Sequence, residues 1–326
     1  MAISTLSFLP LSGTLHHRPT PRIPTLPSPI NPIHAPPPLL KNNQSNLRRP
    51  NMVTVRALPF SELGLQGVLD LIQVSPPTWE SSILSNLVIF VLGSPILVTG
   101  LSASGVAAAF MLGTLTWRAF GRSGFLLVAA YFVIGTGATK LKITQKEALG
   151  VAEKRRGRRG PGSVIGSSAA GCVCAFLSIY GVGGEVVAGL WRLAFVASFC
   201  TKVSDTVSSE IGKAYGKTTY LVTTFKIVPR GTEGAVSAEG TLAGLLASIL
   251  LASVGCFMGE VDVIGAAICV IASQIANLGE SIIGASLQEK EGFQWLNNDM
   301  VNVINISIGS ILAVLMQQFI LRSWNQ

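Results

Sequence analysis

Long apolar runs separated by a few polar segments make up most of the chain after residue 82. Several runs approach the roughly 20 apolar residues that a helix needs to cross a bilayer. Pro95 should kink the first run, and the second is short for a span. The pattern predicts an all-α, polytopic transmembrane bundle of about eight spans, within a range of about seven to nine. The candidate spans are residues 83–101, 103–118, 123–139, 164–181, 185–201, 239–258, 261–279 and 301–321.

The composition fits a membrane protein. Hydrophobic residues make up 49% and charged residues 12% of the 326 residues, and the mean hydropathy is +0.53. A typical soluble domain carries about 25% charged residues. These values argue against an ordinary soluble enzyme, a coiled coil and a disordered protein.

Residues 1–57 differ sharply from the rest of the chain. They hold six Lys/Arg, no Asp/Glu, eleven of the seventeen prolines and all three histidines. An acid-free, Ser/Thr/Pro-rich leader is typical of an organelle transit peptide, and the lack of an Arg-rich amphipathic pattern favours the chloroplast. We expect removal near Val-Arg-Ala at 55–57, then a surface segment at 58–82 and a membrane domain at 83–326. A disordered cytosolic tail is the alternative for 1–57.

Without residues 1–57, the chain has 18 Lys/Arg and 16 Asp/Glu, a net charge of +2. This near-neutral balance removes the case for nucleic-acid binding. It also leaves no histidine for a general base or a metal site. Any chemistry must then use carboxylates, amines, hydroxyls, amides and backbone groups.

Three polar loops are predicted at 140–163, 202–238 and 280–300. Two candidate spans separate each loop from the next, so all three should lie on one membrane face. The first loop is rich in Lys and Arg, which predicts that this face stays on the side of import, the stroma in a chloroplast. A polar site is therefore expected at one membrane interface.

The segment 201–217, TKVSDTVSSEIGKAYGK, carries the strongest candidate site. If it is helical, spacings of three and four place several polar residues on one face, with Glu210 off that face. An acid, hydroxyls and a glycine in this arrangement suit a magnesium and phosphate site. A solvated helix end is the alternative. The residues on the shared face are Lys202, Asp205, Ser208, Ser209 and Gly212.

Two later segments add candidates. The loop 224–244 combines the cations Lys226 and Arg230 with the Glu239-Gly240 pair, a mixture suited to phosphates, although Glu239 could instead cap the next helix. The segment 276–305 contains Glu280 and an asparagine-rich entry into the last span. Those asparagines need either helix partners or a polar ligand.

Three long runs of sequence resemble the membrane family that includes chloroplast phytyl-phosphate kinases. A more distant similarity runs to the polyprenol kinases, such as phytol and dolichol kinases. The sequence departs from the expected pattern at Glu280, where relatives often have Asp, and at Ile227 and Arg230, where Pro is expected. The runs are SDTVSSEIGKAYGK, FKIVPRGTEGAVSAEGTLAG and LGESIIGASLQ followed by LNNDMVN.

The resemblance implies a kinase that converts phytyl monophosphate to phytyl diphosphate with magnesium and a nucleoside triphosphate, CTP being expected. It implies a bilayer location, in the envelope, and a supply role in tocopherol and phylloquinone synthesis. The implied catalytic residues are Asp205, Lys226 and Glu239. The implied metal ligands are Asp205, Glu210, Glu280 and Asp299. The implied phosphate or nucleotide contacts are Lys202, Ser208, Ser209, Gly212, Lys213, Lys217, Arg230, Gly240 and Asn298.

The sequence is also compatible with two other functions. A kinase acting on free phytol or a polyprenol would use a similar site but would need a carboxylate as general base. An envelope transporter would also place polar residues within membrane helices.

Overall fold

The computed structural model describes residues 75–288 and 290–324. The predicted leader and the first part of the predicted surface segment, residues 1–74, lie outside the described residues. The elements are α1 Trp79–Leu92, α2 Ser94–Gly100, α3 Ala103–Lys140, α4 Ile143–Ala148, a 3₁₀ turn Lys154–Gly157, α5 Pro161–Ile179, α6 Gly184–Tyr215, β1 Tyr220–Leu221, β2 Ala235–Val236, α7 Ala238–Phe257, α8 Val263–Ser286 and α9 Asn298–Trp324. The predicted all-α membrane bundle is confirmed. A two-stranded antiparallel sheet is formed by β1 and β2 in the loop before α7.

The first predicted span is a broken helix rather than a continuous one. Helices α1 and α2 meet at Gly93 and are bent by 80° relative to each other. Pro95 lies in the first turn of α2, where its missing N–H costs no helix hydrogen bond. The expected kink is therefore present as a break at Gly93, after which the chain begins a new helix.

Helix α3 is a hairpin of two arms. Gly121 has φ 67° and ψ −155°, a conformation outside the helical region that glycine tolerates. The Gly113 position lies 2.9 Å from the Phe125 ring, and the Gly100 position lies 2.7 Å from the Phe132 ring, each measured from an added Cβ. These contacts require the chain to reverse at Gly121.

The number of spans agrees with the sequence-based expectation. In the described part of the chain, six helices are long and apolar enough to cross a membrane, and the α1–α2 pair is a seventh candidate. Counting the two arms of α3 separately gives eight, in line with the separate predicted spans at 103–118 and 123–139.

The three long connections lie on the same face of the bundle. Lys213 at the end of α6 contacts Glu153 in the connection between α4 and α5. Gly231, in the loop before α7, packs against Val151. Farther along the same loop, Gly234 packs against the end of α8. The predicted one-sided arrangement of polar loops is therefore present.

Two of these connections are shorter than the sequence pattern indicated. Helix α6 continues to Tyr215 and α8 continues to Ser286, so the loops are 216–237 and 287–297 instead of 202–238 and 280–300. Ser, Lys, Glu and Ala are compatible with a helix even where the hydropathy falls, and α6 ends only at Gly216. Much of the predicted loop chemistry therefore lies on helices.

Helix α6 forms the centre of the bundle and contacts α3, α5, α7, α8 and α9. Its Phe195 and Phe199 side chains are fully buried, and they pack against Phe120 and Tyr131 of α3. On its other side, α7 approaches closely through small residues, as membrane helices commonly do. An added Cβ on Gly244 would lie 2.7 Å from the Ser204 carbonyl oxygen.

Gly244→Ala should lower the thermal midpoint of unfolding in detergent. The new methyl group would press on the α6 backbone, and overpacking of this kind costs about 1–3 kcal/mol. The matched control is Gly189→Ala in α6, where an added Cβ meets no described atom within 4 Å. Since Ala is favoured over Gly in helices by about 1 kcal/mol, the control should keep or raise the midpoint. Equal midpoints for the two variants would contradict the proposed helix contact.

Candidate functional site

A buried ion pair lies at the centre of the site. Lys202 and Asp205 are on the same face of α6, and the Lys202 Nζ donates to Asp205 Oδ2 at 2.5 Å. The same ammonium donates to Asn302 Oδ1 of α9 at 2.6 Å. The Lys202 and Asp205 side chains are 7% and 13% exposed. Such burial is tolerated because both charges are paired and hydrogen-bonded.

A second carboxylate faces this pair from α8. Glu280 lies within electrostatic range of both Asp205 and Lys202. Asn305 of α9 donates to Glu280 Oε2 at 2.6 Å and to Asn277 Oδ1 at 3.0 Å. Three helices thus supply one connected group. We call it the central polar cluster, and its members are Lys202, Asp205, Asn277, Glu280, Asn302 and Asn305.

The central polar cluster lies near the loop-side membrane interface. Helix α6 has 32 residues, so it is about 48 Å long, which exceeds a hydrocarbon core of roughly 30 Å. Counted from Gly184 at the opposite face, Lys202 lies about 27 Å along the helix. The cluster is therefore where α6 leaves the hydrocarbon and meets the face that carries the long loops.

A second charged group lies one to two helical turns farther along α6. The Lys146 Nζ donates to Glu210 Oε2 and, at 2.7 Å, to the Thr139 carbonyl oxygen. Lys146 is fully buried and the Glu210 side chain is 3% exposed. Lys213 pairs with Glu153 at 3.2 Å and with Glu210 at 3.6 Å. Because two cations hold the Glu210 carboxylate, we assign this residue to tying the loop between α3 and α5 onto α6.

Residues of the predicted polar face of α6 have two different roles. Some belong to or contact the central polar cluster, and others form the contact between α6 and α7. Gly212 and the Ser208 backbone face α7, where an added Cβ on Gly240 would lie 2.6 Å from the Ser208 carbonyl oxygen and 3.3 Å from the Gly212 Cα. The exposed Ser209 hydroxyl donates to the Asp205 carbonyl oxygen at 2.9 Å. Of the two predicted serines, Ser209 is therefore the one with a described hydrogen bond to Asp205 of the central polar cluster, whereas Gly212 and Gly240 permit close packing.

The remaining predicted cations lie in the solvent-facing connection 216–237. Lys217 and Lys226 are exposed, and Arg230 is partly exposed. Glu239, in the first turn of α7, accepts a hydrogen bond from the Lys217 backbone N–H at 3.3 Å. The structure places these side chains on the loop face, and it brings none of them into the hydrogen bonds or ion pairs described for the central polar cluster.

Asn298 and Asp299 lie at the start of α9, on the same face of the bundle. Asn298 is exposed, and Asp299 packs against the beginning of α5. An added Cβ on Gly162 would lie 2.7 Å from Asp299 Oδ2. Asp299 thus lies beside the α5 N-terminus, about one turn before Asn302 enters the central polar cluster.

The donor set fits magnesium only in part. Among the described residues, no group of three or more His, Cys, Asp or Glu side chains could hold a metal ion. Asp205 and Glu280 form a pair, and the buried Asn305 Oδ1 beside them has no hydrogen-bond partner in the described part of the chain. Magnesium in phosphoryl-transfer sites is commonly held by one or two carboxylates together with substrate phosphates. The two carboxylates and the amide oxygen match that pattern.

Sequence reasoning missed four residues that the fold brings to this region. Lys146 and Glu153 form ion pairs with Glu210 and Lys213 of α6, and Arg159 donates a hydrogen bond to Tyr131 at 2.7 Å. Lys146 and Arg159 belong to a basic segment that also serves as a topology signal. Their individual contacts could therefore not be distinguished in the sequence. Tyr131 lies in an apolar run, where a tyrosine is common.

Comparison with known proteins defines the class to which this chain belongs. Residues 86–310 match the family described as "Integral membrane protein DUF92". Because this match covers more than half of the chain, the protein is a member of that integral membrane family. No solved structure matches the chain.

The chain is similar to proteins from a plant and a cyanobacterium. "Protein VTE6, chloroplastic" of Arabidopsis thaliana is 78% identical over 256 residues, covering 78% of this chain and 77% of the relative. "Uncharacterized membrane protein sll0875" of Synechocystis is 44% identical over 237 residues, covering 72% and 90%. "Protein PGR" of Arabidopsis thaliana is 26% identical over 235 residues, covering 66% and 81%.

Glu210→Gln should destabilise the protein by about 3–5 kcal/mol, because it leaves the buried Lys146 ammonium without its counter-charge. The double variant Lys146→Met/Glu210→Gln should regain part of this loss. Glu147→Gln is the matched control, since Glu147 forms only an exposed pair with Arg156, worth about 0–1 kcal/mol. Thermal midpoints in one detergent provide the comparison. Similar losses in Glu210→Gln and Glu147→Gln would contradict the structural role of Glu210.

Proposed function

We propose that this protein is an integral membrane kinase that transfers a phosphoryl group from a nucleoside triphosphate to a prenyl monophosphate, with phytyl monophosphate as substrate and CTP as the expected donor. The observation that carries the proposal is the central polar cluster, in which Lys202, Asp205 and Glu280 meet between membrane helices at the loop-side interface. Buried charges of this kind in a membrane bundle are costly and usually functional.

The position of the cluster suits a substrate with two contrasting ends. A prenyl chain belongs in the hydrocarbon, whereas its phosphate and a nucleotide belong in water. At the loop-side end of α6, the central polar cluster can meet a phosphate without drawing the chain out of the bilayer. The exposed cations of connection 216–237, among them Lys226 and Arg230, lie on the face from which a nucleotide would approach.

Phosphoryl transfer to a phosphate does not require the protein to form a covalent intermediate. It requires charge neutralisation and in-line placement of donor and acceptor. Asp205 and Glu280 would hold magnesium, which would neutralise charge on the nucleotide phosphates. Lys202 would bind an oxygen of the acceptor phosphate in exchange for one of its present partners, and Ser209 would orient a phosphate oxygen. The acceptor phosphate is already ionised near neutral pH, so no histidine base is needed.

The cellular setting follows from the resemblance and the leader. One relative is named as chloroplastic, and we extend that location to this chain, with removal of residues 1–57 on import. The basic connection between α3 and α5 favours a stromal position for the loop face. In the chloroplast envelope, the phytyl diphosphate formed would supply tocopherol and phylloquinone synthesis.

A carrier for prenyl phosphates is the second candidate function. The observation that favours it is that Lys202, Asp205 and Glu280 lie within helices rather than in loops, as in many transporters. The two functions differ in whether a nucleotide is consumed. A kinase acting on the free alcohol differs from both in its acceptor.

The proposal is tested with residues 58–326 in proteoliposomes that contain phytyl monophosphate, magnesium and each nucleoside triphosphate in turn. Free phytol is supplied as a parallel acceptor. We expect phytyl diphosphate from the monophosphate alone, with CTP the best donor. Product from phytol would move the protein to the alcohol kinases. Movement of phytyl monophosphate across the membrane without any nucleotide-dependent product would favour the carrier.

Asp205→Asn should reduce turnover by about 100-fold or more, because the amide removes the charge that would hold the metal. The protein should stay folded, because Glu280 remains within electrostatic range of the Lys202 ammonium as a counter-charge. Asp262→Asn is the matched control on the opposite face. Asp262 caps α8 by accepting from the Gly265 N–H at 2.6 Å, and asparagine caps helices equally well. Initial rates and thermal midpoints are measured on both variants. Full activity in Asp205→Asn would exclude this residue from the reaction.

A further inference from the structure

A largely apolar cavity lies between the bent α1–α2 pair and the hairpin α3. Its volume is about 200 Å³. It opens toward the side of the bundle, where the lining residues Ile96 and Val133 are more than half exposed. The apolar side chains that line its interior include Ile89, Phe90, Leu97, Leu112, Val128 and Phe132.

A single cation lies among these apolar residues. Arg159 lines the cavity together with Tyr131, and its Nη1 donates to the Tyr131 hydroxyl at 2.7 Å. The Arg159 backbone is fixed by hydrogen bonds with Gly100 and Ser102, at 2.8 and 3.0 Å. Within residues 75–288 and 290–324, no salt bridge joins Arg159 to a carboxylate. A guanidinium without a counter-charge beside an apolar cavity is suited to an anionic head group.

The polar end of the cavity adjoins the central polar cluster. Tyr131 is 4% exposed, and its ring packs against Phe199 of α6, about one helical turn before Lys202. A phosphate between Arg159 and Lys202 would therefore have one cation on the cavity side and one beside Asp205. Because Tyr131 accepts the hydrogen bond from Arg159, its own hydroxyl proton remains for a phosphate oxygen.

We infer that this cavity binds the part of the prenyl chain nearest the phosphate and that Arg159 and Tyr131 bind the phosphate of the acceptor. The inference rests on the proposed function for its choice of ligand, a prenyl monophosphate. The cavity is smaller than the roughly 300–1,000 Å³ of a pocket that encloses a whole ligand. The distal isoprenoid units therefore remain in the bilayer, which they reach through the opening at Ile96 and Val133.

Charge complementarity with Arg159 favours an anionic head group, and the direct adjoining of Arg159 to the apolar lining favours a prenyl phosphate over an ordinary membrane lipid. A phospholipid acyl chain would fill the cavity equally well, but ester and glycerol groups separate that chain from its phosphate. A prenyl monophosphate joins its phosphate directly to the chain. The site should therefore discriminate by head group and tolerate changes at the far end of the chain.

The test is photolabelling of the full chain in proteoliposomes, without nucleotide. The probe is phytyl monophosphate with a diazirine on the isoprenoid unit next to the phosphate. We expect labelled peptides from the lining of the cavity, and labelling that unlabelled phytyl monophosphate suppresses but phosphatidic acid does not. Equal suppression by the two competitors would overturn the inference, because it would identify a general lipid groove.

Three variants and one control locate the ligand. Ala109→Phe, which places a ring in the cavity, should reduce labelling at least fivefold. The control Ala107→Phe lies on the same helix, is exposed and does not line the cavity, so it should label like the wild type. Arg159→Gln should weaken labelling about tenfold, the loss of one charge-assisted hydrogen bond, and Arg159→Lys should restore part of it. Unchanged labelling in Ala109→Phe would overturn the inference.

Failure of the inference and failure of the proposed function give different results. If the cavity binds the probe as expected but no nucleotide yields product, the inference stands and the kinase proposal fails. If Ala109→Phe forms product at the wild-type rate and the labelled peptides come from outside the cavity, the kinase proposal stands and the inference fails.

Discussion

The buried ion pair between Lys202 and Asp205 is the constraint on which the rest of the bundle depends. Charges between membrane helices are stable only when each has a partner and the remaining hydrogen bonds are made. Asn302 of α9 completes the partners of Lys202, and Glu280 of α8 faces the same pair. Helices α6, α8 and α9 must therefore meet at one depth. A like charge at Glu280 works against stability, a cost that the proposed function would account for.

Backbone features of the sequence let the helices satisfy this constraint. Gly121 reverses α3, and the small residues of α7 allow it to lie directly against α6. The reversal places Tyr131 in the lining of the cavity between α2 and α3, and its ring packs against Phe199, about one helical turn before Lys202 in α6. All three long connections then lie on the same face as the central polar cluster. The fold thus brings a cavity that opens toward the side of the bundle and the solvent-facing connections to the same end of α6, an arrangement that the proposed reaction would use.

Much of this arrangement could be predicted from sequence, because its signals are local. Apolar runs predicted the spans, and the two spans between successive polar loops predicted that the loops share one membrane face. Spacings of three and four predicted that Lys202, Asp205 and Ser209 lie on the same face of a helix. The missing parts depend on long-range contacts. Lys202 meets a residue 100 positions away, and Lys146 meets Glu210 across 64 positions. No local periodicity encodes such pairs. The length of α6 was also underestimated, since falling hydropathy does not end a helix whose residues still favour one.

The most direct test of the central claim is a paired measurement on Glu280→Gln, with thermal midpoint and phosphoryl transfer to phytyl monophosphate determined on the same purified sample. The variant removes the charge that opposes Asp205, and it keeps an oxygen that can accept from Asn305. If the cluster exists for chemistry, the midpoint should stay the same or rise while turnover is lost. A lower midpoint with turnover retained would contradict the account, because it would make Glu280 a structural residue.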